Sequence, residues 1–244
     1  MLRLFIFYFT QTYQFTHLSN NDGLSQSSVI AIHQDNLGQI WIGTRDGLNK
    51  YDGNKFTIYR NESSNPNSLS NNDILAIKQD SEGYIWIGTY NGLNRFDPKT
   101  GKFKRYFHKQ DNSSISNNTV SSIQELSDGK ILIGTSRGLS IYNKKTASFT
   151  SYLINNNDKK PSEGSHVLSI LETQNKKVFI GTTSGLFKLI IINGNNIEFQ
   201  IIDKTQNLHI QDLVQSPLKN LLLGTKTKSV LEYNPKTERL SNYF

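Results

Sequence analysis

The sequence predicts an all-β protein, a β-propeller of four-stranded antiparallel blades, and three observations lead to this fold. First, a Gly-Thr pair recurs with its glycine at positions 43, 88, 134, 181 and 224, a period that is typical of stacked repeats. Second, each repeat contains four short apolar or alternating segments bounded by turn residues, which is the pattern of strands. Third, the apolar runs are too short for helices and lack their period. About five blades are therefore expected.

The second repeat illustrates the four predicted strands, which cover residues 74–77, 84–89, 93–96 and 103–107. Asp80 to Gly83 supplies a tight turn after the first strand, with Asp and Gly at favoured places. Asn91-Gly92 follows the second strand, and such a pair accepts the positive φ of a two-residue hairpin loop. The blades are expected at about 26–60, 71–107, 118–153, 165–202 and 208–244, within a propeller that covers 13–244.

The N-terminal segment carries two further expectations. Residues 13–18 resemble a fourth strand that has no blade of its own, which indicates that the chain belongs to a larger ring. Residues 1–12 begin with one positive charge and a short apolar run. This stretch is short for a secretory signal, so a clipped export signal and an incidental apolar start both remain open.

Several repeated residues are interpreted as structural. Trp41 and Trp86 lie inside the second strand of their repeats, where packing between blades is favoured over the alternative of a sugar-stacking platform. Glycines that end the second strand indicate close approaches or bulges, and those four residues later indicate turns. The first set is Gly43, Gly88, Gly134, Gly181 and Gly224, and the second is Gly47, Gly92, Gly138 and Gly185. Asp35, Asp80 and Asp128 are interpreted as turn residues.

Composition argues against several classes of function. The net charge is +7, yet the four Lys and Arg pairs are spread over three repeats and one connection between repeats, so nucleic-acid binding is not expected. The chain has no cysteine, and its five histidines are isolated from any metal-ligand spacing. No phosphate-binding glycine loop or nucleophile elbow is present. We therefore expect no metal, no cofactor and no catalytic residue in this chain.

One long motif points to a family. Residues 35–52 and 80–97 share the pattern Asp-x-x-Gly-x-x-Trp-Ile-Gly-Thr-x-x-Gly-Leu-Asn-[Lys/Arg]-[Tyr/Phe]-Asp. This pattern resembles the two-component regulator propeller repeat, and residues 15–26 resemble the beginning of such sensor ectodomains. The resemblance weakens toward the C-terminus, where Leu132, Phe179 and Leu222 replace the tryptophan.

The resemblance implies the extracytoplasmic sensor region of a hybrid two-component histidine kinase. Such receptors carry seven-bladed propellers, commonly respond to glycans, and continue into a membrane helix and a kinase. The expected location is therefore periplasmic, with tethering and kinase activity in parts absent from this chain. The expected partners are a glycan or oligosaccharide, the remaining blades and the kinase portion, and a homodimer is compatible with this arrangement.

The topology predicts where a ligand would bind. Turns between second and third strands lie at the same end as the connections between blades, and rigid scaffolds commonly carry function on such loops. The candidate ligand-binding residues are Arg45, Asp46, Tyr90, Asn91, Arg137, Asn72, Asn118 and His166. Two alternatives stay open: a fragment of a propeller-scaffold carbohydrate-active enzyme, which requires clustered acids or a metal set, and a protein-interaction platform, which requires an exposed apolar patch.

Overall fold

The computed structural model describes residues 15–110, 113–154, 165–193, 196–227 and 229–243. Within these ranges, twenty strands form five four-stranded antiparallel sheets, each following the chain in simple up-and-down order. Helical structure there is limited to two single 3₁₀ turns, Asn20–Asp22 and Asp203–Thr205. The all-β propeller architecture expected from the sequence is confirmed.

Each sheet is one blade, numbered 1 to 5 along the chain. Blade 1 contains β1 (Val29–Gln34), β2 (Ile40–Thr44), β3 (Gly47–Tyr51) and β4 (Phe56–Tyr59). Blade 2 contains β5 (Ile74–Gln79), β6 (Ile85–Thr89), β7 (Gly92–Asp97) and β8 (Lys102–Tyr106). Blade 3 contains β9 (Val120–Glu125), β10 (Ile131–Thr135), β11 (Gly138–Asn143) and β12 (Ser148–Tyr152). Blade 4 contains β13 (Val167–Glu172), β14 (Val178–Thr182), β15 (Gly185–Asn193) and β16 (Asn196–Ile201). Blade 5 contains β17 (Ile210–Gln215), β18 (Leu221–Thr225), β19 (Val230–Asn234) and β20 (Arg239–Asn242).

The first strand of each blade, called the inner strand here, lies against the inner strands of its neighbours. The Gly-Thr glycines make this approach close. A Cβ on Gly43 would lie 2.6 Å from Cγ2 of Ile74 in the next inner strand, a separation that real side chains do not reach. Opposite each of these glycines the inner strand carries a bulge, as between Val29 and Ala31. Both expectations for this glycine position, close approach and bulge, are met at blade 1.

The apolar core lies between the blades rather than inside them. Trp41 and Trp86 are each 1% exposed, and each contacts an aromatic ring of the following blade. The ring centroids of Trp41 and Phe96 are 5.5 Å apart, and those of Trp86 and Tyr142 are 5.1 Å apart. Neither tryptophan is available for stacking against a ligand, so the alternative of a sugar platform at these two residues is excluded.

A polar contact also joins neighbouring blades, and we call it the interblade latch. The last residue of an inner strand accepts a hydrogen bond from the backbone N–H at the second position of the preceding blade's first turn. The donor and acceptor pairs are Asn36 with Gln79, Ser81 with Glu125, Ser127 with Glu172, and Gln174 with Gln215, at 2.7–2.9 Å. In blade 5 the donor position is Pro217, which has no N–H.

Two expectations require correction. Residues 15–18 belong to no strand, because the structure offers them no partner strand among its described residues; residues 13–14 and the segment 1–12 lie outside the described ranges. The hairpin loop in blade 2 consists of Tyr90 and Asn91, and only Gly92 has positive φ, as in a type I turn followed by a left-handed residue. Asp128 lies in the first turn of blade 3 as expected, although Leu126 holds the position that corresponds to Asp35 and Asp80.

Candidate ligand-binding rim

Two sets of loops meet where the inner strands begin, and together they are called the rim here. One set comprises the turns between second and third strands, and the other comprises the segments that lead into each inner strand. Backbone hydrogen bonds join the two sets: Gly47 N–H donates to the Asn72 carbonyl at 2.8 Å, and Gly92 N–H donates to the Asn118 carbonyl at 2.7 Å. The predicted meeting of these loops at one end is therefore observed.

A threonine that recurs in blades 1 to 4 closes each turn of the rim through its side chain. Oγ1 of Thr89 donates to the Gly92 carbonyl at 2.8 Å and accepts from the Asn91 N–H at 3.1 Å, which closes the turn. Thr44, Thr135 and Thr182 make the same pair of bonds in their blades. These threonines are fully buried, so each turn presents its two middle residues from a fixed backbone.

Four of the predicted site residues have side chains engaged in structural contacts. Oδ1 of Asn72 accepts from the Asn61 N–H at 2.6 Å, and Oδ1 of Asn118 accepts from the His108 N–H at 2.7 Å. These amides brace the loops between blades. Asp46 receives two hydrogen bonds from Arg60, at 3.1 and 2.8 Å.

Charge and burial shift the pKa values of two of these four residues, Asp46 and His166. The hydrogen bond from Arg60 lowers the pKa of Asp46. Nε2 of His166 lies 2.9 Å from the Ser121 hydroxyl. Burial lowers the pKa of His166, and the nearby His209 lowers it further. At neutral pH the rim therefore carries an ionised Asp46 that is already paired, and a neutral imidazole at His166.

The other four predicted residues are exposed: Arg45, Tyr90, Asn91 and Arg137. They come from the turns of blades 1, 2 and 3: Arg45 and Tyr90 occupy the first middle position of their turns, and Asn91 and Arg137 occupy the second. Tyr90 is the most apolar of them and is 56% exposed. Guanidinium groups donate in a fork that suits carboxylates, and a phenol ring offers a flat face with a polar tip.

The structure adds Asp73, for which no sequence pattern indicates a role. Its backbone carbonyl accepts from the Tyr90 N–H at 3.1 Å, which places it next to the turn that carries Tyr90. Its Oδ1 is buried and has no hydrogen-bond partner among the described residues. A buried carboxylate oxygen is normally hydrogen-bonded, so a hydroxyl from solvent or from a ligand would satisfy it. Recognising it required the three-dimensional contacts, because neighbouring repeats carry no acid there.

Metal-binding clusters and membrane-spanning helices are both absent from the described residues. No group of three His, Cys, Asp or Glu side chains within the described ranges is placed to hold a metal ion. In the same residues, no helix is long and apolar enough to cross a membrane.

Two stretches of the repeats match a known family model. Residues 23–46 and 68–91 match the family model described as two component regulator propeller. A protein of Formosa agariphila named as a histidine kinase is 53% identical over 226 residues. That alignment covers 90% of this chain and 16% of the relative, so the chain spans only a small part of that protein.

Two solved structures extend the comparison, both extracellular domains of hybrid two-component systems from B. thetaiotaomicron. The first is 28% identical with a TM-score of 0.76, covering 93% of this chain and 31% of that one. The second is 24% identical with a TM-score of 0.64, covering 86% of this chain and 28% of that one, and it shows the fold alone.

Proposed function

Because the chain is built from repeats of the two-component regulator propeller family, we propose that it is a ligand-sensing region of a hybrid histidine kinase receptor. In this proposal the region lies in the periplasm, binds a glycan or oligosaccharide at the rim, and passes the signal to a kinase portion outside this chain. It performs no chemistry on the ligand. The likeness to extracellular domains of hybrid two-component systems supports the location and the receptor type.

The observation that carries the ligand proposal is the sequence of exposed side chains on successive turns. Arg45, Tyr90 and Arg137 face solvent from blades 1, 2 and 3 on backbones that buried threonines hold in place. Hydroxyl-rich or carboxylated sugars need forked donors, acceptors and one flat ring. The exposed amide of Asn91 supplies an acceptor next to Tyr90, so the rim offers all three.

The affinity of such a site is expected to be modest. Hydrogen bonds to a sugar replace hydrogen bonds to water, and each contributes only about 0.5–1.5 kcal/mol net. A micromolar dissociation constant corresponds to about −8 kcal/mol, which requires several of these bonds and one stacked ring. Signalling further requires that the ligand bind one receptor state better than another.

Calorimetric titration of the complete ectodomain against a glycan panel tests the proposal. The triple variant Arg45→Ala, Tyr90→Ala and Arg137→Ala is expected to weaken binding at least tenfold. The matched control is Lys99→Ala with Lys145→Ala, which removes exposed charges from turns at the opposite ends of the strands. Binding that survives the triple variant contradicts the choice of face. Steady release of product in a parallel sugar assay contradicts binding without turnover.

A further inference from the structure

A groove opens between blades 3 and 4, away from the rim. It has a volume of about 310 Å³ and is called the side groove here; its lining includes Leu126, Ile141, Thr150, Tyr152, Leu189 and Ile197. Leu126 directly follows an inner strand, and inner strands begin at the rim. The side groove therefore lies toward the opposite ends of the strands from the candidate glycan site.

The corresponding space in the two preceding interfaces is filled by an indole ring. The Trp41 ring reaches back to its own first turn, where Nε1 donates to Oδ2 of Asp35 at 2.8 Å. Lys50 lies over the ring at 6.0 Å, and Phe96 of blade 2 meets its edge at 5.5 Å. Tyr59 of the same blade stacks on the ring at 6.1 Å, and Tyr152 keeps this position in blade 3. Three further positions surround the indole: the turn acid, the third-strand cation and the aromatic of the next blade.

Blade 2 repeats this arrangement. Nε1 of Trp86 donates to Oδ2 of Asp80 at 2.7 Å, Arg95 lies 5.9 Å from the ring, and Tyr142 of blade 3 contacts it. The indole is thus a standard component of both interfaces and not a feature of one blade.

At the third interface the indole and the three further positions around it have all changed. The strand register places Leu132 where the tryptophan stands and Ile141 where the cation stands. The turn bonds place Leu126 at the acid's position, and the strand pairing places Leu189 at the aromatic's position. Leu126, Ile141 and Leu189 all line the side groove, and each keeps 8% exposure.

We propose that the side groove is a binding site for a small planar aromatic molecule that carries a hydrogen-bonding substituent. The floor consists of aliphatic side chains that replaced the partners of an indole, so the space suits a ring of that size and shape. The volume lies at the lower end of ligand pockets. Hydroxyl groups of Thr146, Ser148 and Thr150 edge the groove, so a polar substituent on the ring meets donors and acceptors there.

The pattern of substitution supports a built site over a simple packing defect. Loss of the tryptophan alone would leave a buried carboxylate at the turn without its indole donor. At the third interface the acid, the cation and the ring are all replaced by aliphatic residues. No buried polar atom is therefore left without a hydrogen-bond partner at these positions. The floor of the groove is aliphatic, whereas Lys130, Asn143 and the hydroxyl residues line its edge. Water on such a floor gains few hydrogen bonds, so an apolar ring can displace it.

Titration of the 244-residue chain with indole and 5-hydroxyindole tests the proposal, since the two probes share a ring and differ by one hydroxyl. Both are expected to bind, and 5-hydroxyindole several-fold more tightly. The double variant Leu126→Asp with Leu132→Trp restores the arrangement of blades 1 and 2 and is expected to weaken binding at least tenfold. The equivalent double variant in blade 5, Ser216→Asp with Leu222→Trp, is the control and is expected to leave binding unchanged.

A second variant keeps the test decisive if the repacked core does not fold. Thr150→Trp places a large side chain at an exposed position of the groove edge and is expected to block entry with the same loss of affinity. Absence of binding by either probe at millimolar concentration overturns the proposal. Binding that survives both blocking variants overturns it equally. Because the glycan titration uses the rim, the failure of one site leaves the other unaffected.

Discussion

At the residue scale, a buried tryptophan and a turn aspartate depend on each other. Oδ2 of Asp80 accepts the Trp86 indole N–H, while Oδ1 accepts the backbone N–H groups of Glu82 and Tyr84 at 3.0 Å. One carboxylate thus shapes the turn and satisfies a ring that is otherwise surrounded by apolar atoms. Where the ring is absent, in blades 3 to 5, the acid is absent too, and Leu126, Thr173 and Ser216 stand in its place.

A double-mutant cycle measures this dependence. Asp80→Leu alone leaves the indole N–H buried without an acceptor, which costs about 1–3 kcal/mol in unfolding free energy. Combined with Trp86→Leu, the same change removes donor and acceptor together, as blade 3 does. The double variant is therefore expected to lose less than the two single variants combined, by about 0.5–3 kcal/mol. Urea unfolding of the four proteins gives the coupling, and strict additivity would contradict it.

A histidine at the first interface makes stability depend on pH. Nε2 of His33 accepts the Gln79 backbone N–H at 3.0 Å, which requires an unprotonated nitrogen. Burial lowers the pKa of His33 below its ordinary 6.5, Lys78 lowers it further, and Asp35 partly opposes them. The unfolded chain therefore binds the proton more readily than the folded chain. This contribution to stability is complete above pH 6.5 and is lost as the pH falls through the lowered pKa.

The measurement is the unfolding free energy between pH 7.5 and pH 5. The wild-type chain is expected to lose stability over this range, and His33→Gln is expected to flatten the profile, because a glutamine does not titrate. His166 has a lowered pKa as well, so His166→Gln is the companion variant that separates the two contributions. Equal slopes for wild type and His33→Gln would show that this contact is not the source.

At the element scale, the interblade latch holds neighbouring sheets in register. Glu125 carries the strongest set of contacts: it accepts from the Ser81 N–H and hydroxyl at 2.7 Å and from Lys144 at 2.7 Å. Its side chain is largely shielded from solvent, so the ion pair is less screened than one on an open surface. Hydrogen bonds to Lys144 and Ser81 lower the pKa of Glu125 despite its burial.

Removing the interblade latch is expected to lower the stability of the fold. Glu125→Ala leaves the Ser81 N–H without its acceptor and removes the nearest of three carboxylates around Lys144, and it is expected to lower the unfolding free energy by about 1–3 kcal/mol. Glu125→Gln is the control, because glutamine fills this position at Gln79 and Gln215 and still accepts the backbone N–H. The glutamine variant should lose less. Equal losses in the two variants would mean that the ion pair, and not the latch, carries the stability.

The elements themselves were predictable from sequence, whereas the contacts that align them were only partly so. The strands of blade 2 are found within about one or two residues of the expected ranges, because period-2 patterns and glycine turns are local signals. The recurring Gln or Glu at the latch acceptor is visible at 34, 79, 125, 172 and 215, but its partner is not. Asp128 is a turn residue as predicted, but only the backbone hydrogen bonds reveal that Leu126 holds the position of Asp80 in that turn.

The candidate site was predictable in position but not in detail. Strand order places the rim loops together, so the residues at the turns could be named. Which side chains remain exposed depends on distant partners, such as Asn61 for Asn72 and Arg60 for Asp46. The side groove was beyond prediction, because it results from four substitutions in three strands and a turn that only the fold brings together.

At the scale of the whole molecule, the inner strand of blade 1 differs from the others in its surroundings. Val29 and Ile32 are 41% and 66% exposed, whereas Ile74 and Leu213 at the same positions in blades 2 and 5 are 0% and 5% exposed. In the later blades the preceding blade covers this face. The exposed apolar strip therefore has the composition of a blade interface, and a further blade would be its natural cover.

The 244-residue chain is consequently expected to self-associate as its concentration rises. Sedimentation velocity over a range of concentrations measures this association. Ile32→Lys places a charge in the strip and is expected to shift the distribution toward monomer. Leu37→Lys is the matched control, because Leu37 is 77% exposed but lies in the adjoining turn. A chain that stays monomeric at all concentrations, or equal effects of the two variants, would contradict the expectation.

The proline in the turn of blade 5 has a consequence for how such chains can polymerise. Repeats that stack through one kind of face are prone to add copy upon copy, and head-to-tail contacts that do not close produce open fibres. In a head-to-tail filament of this chain, Pro217 of one molecule would meet Gln34 of the next. The interface between the two molecules would lack the backbone N–H that forms the interblade latch at the four internal interfaces. Pro217 is therefore expected to weaken each head-to-tail contact by one hydrogen bond, about 0.5–1.5 kcal/mol net, relative to the internal blade interfaces.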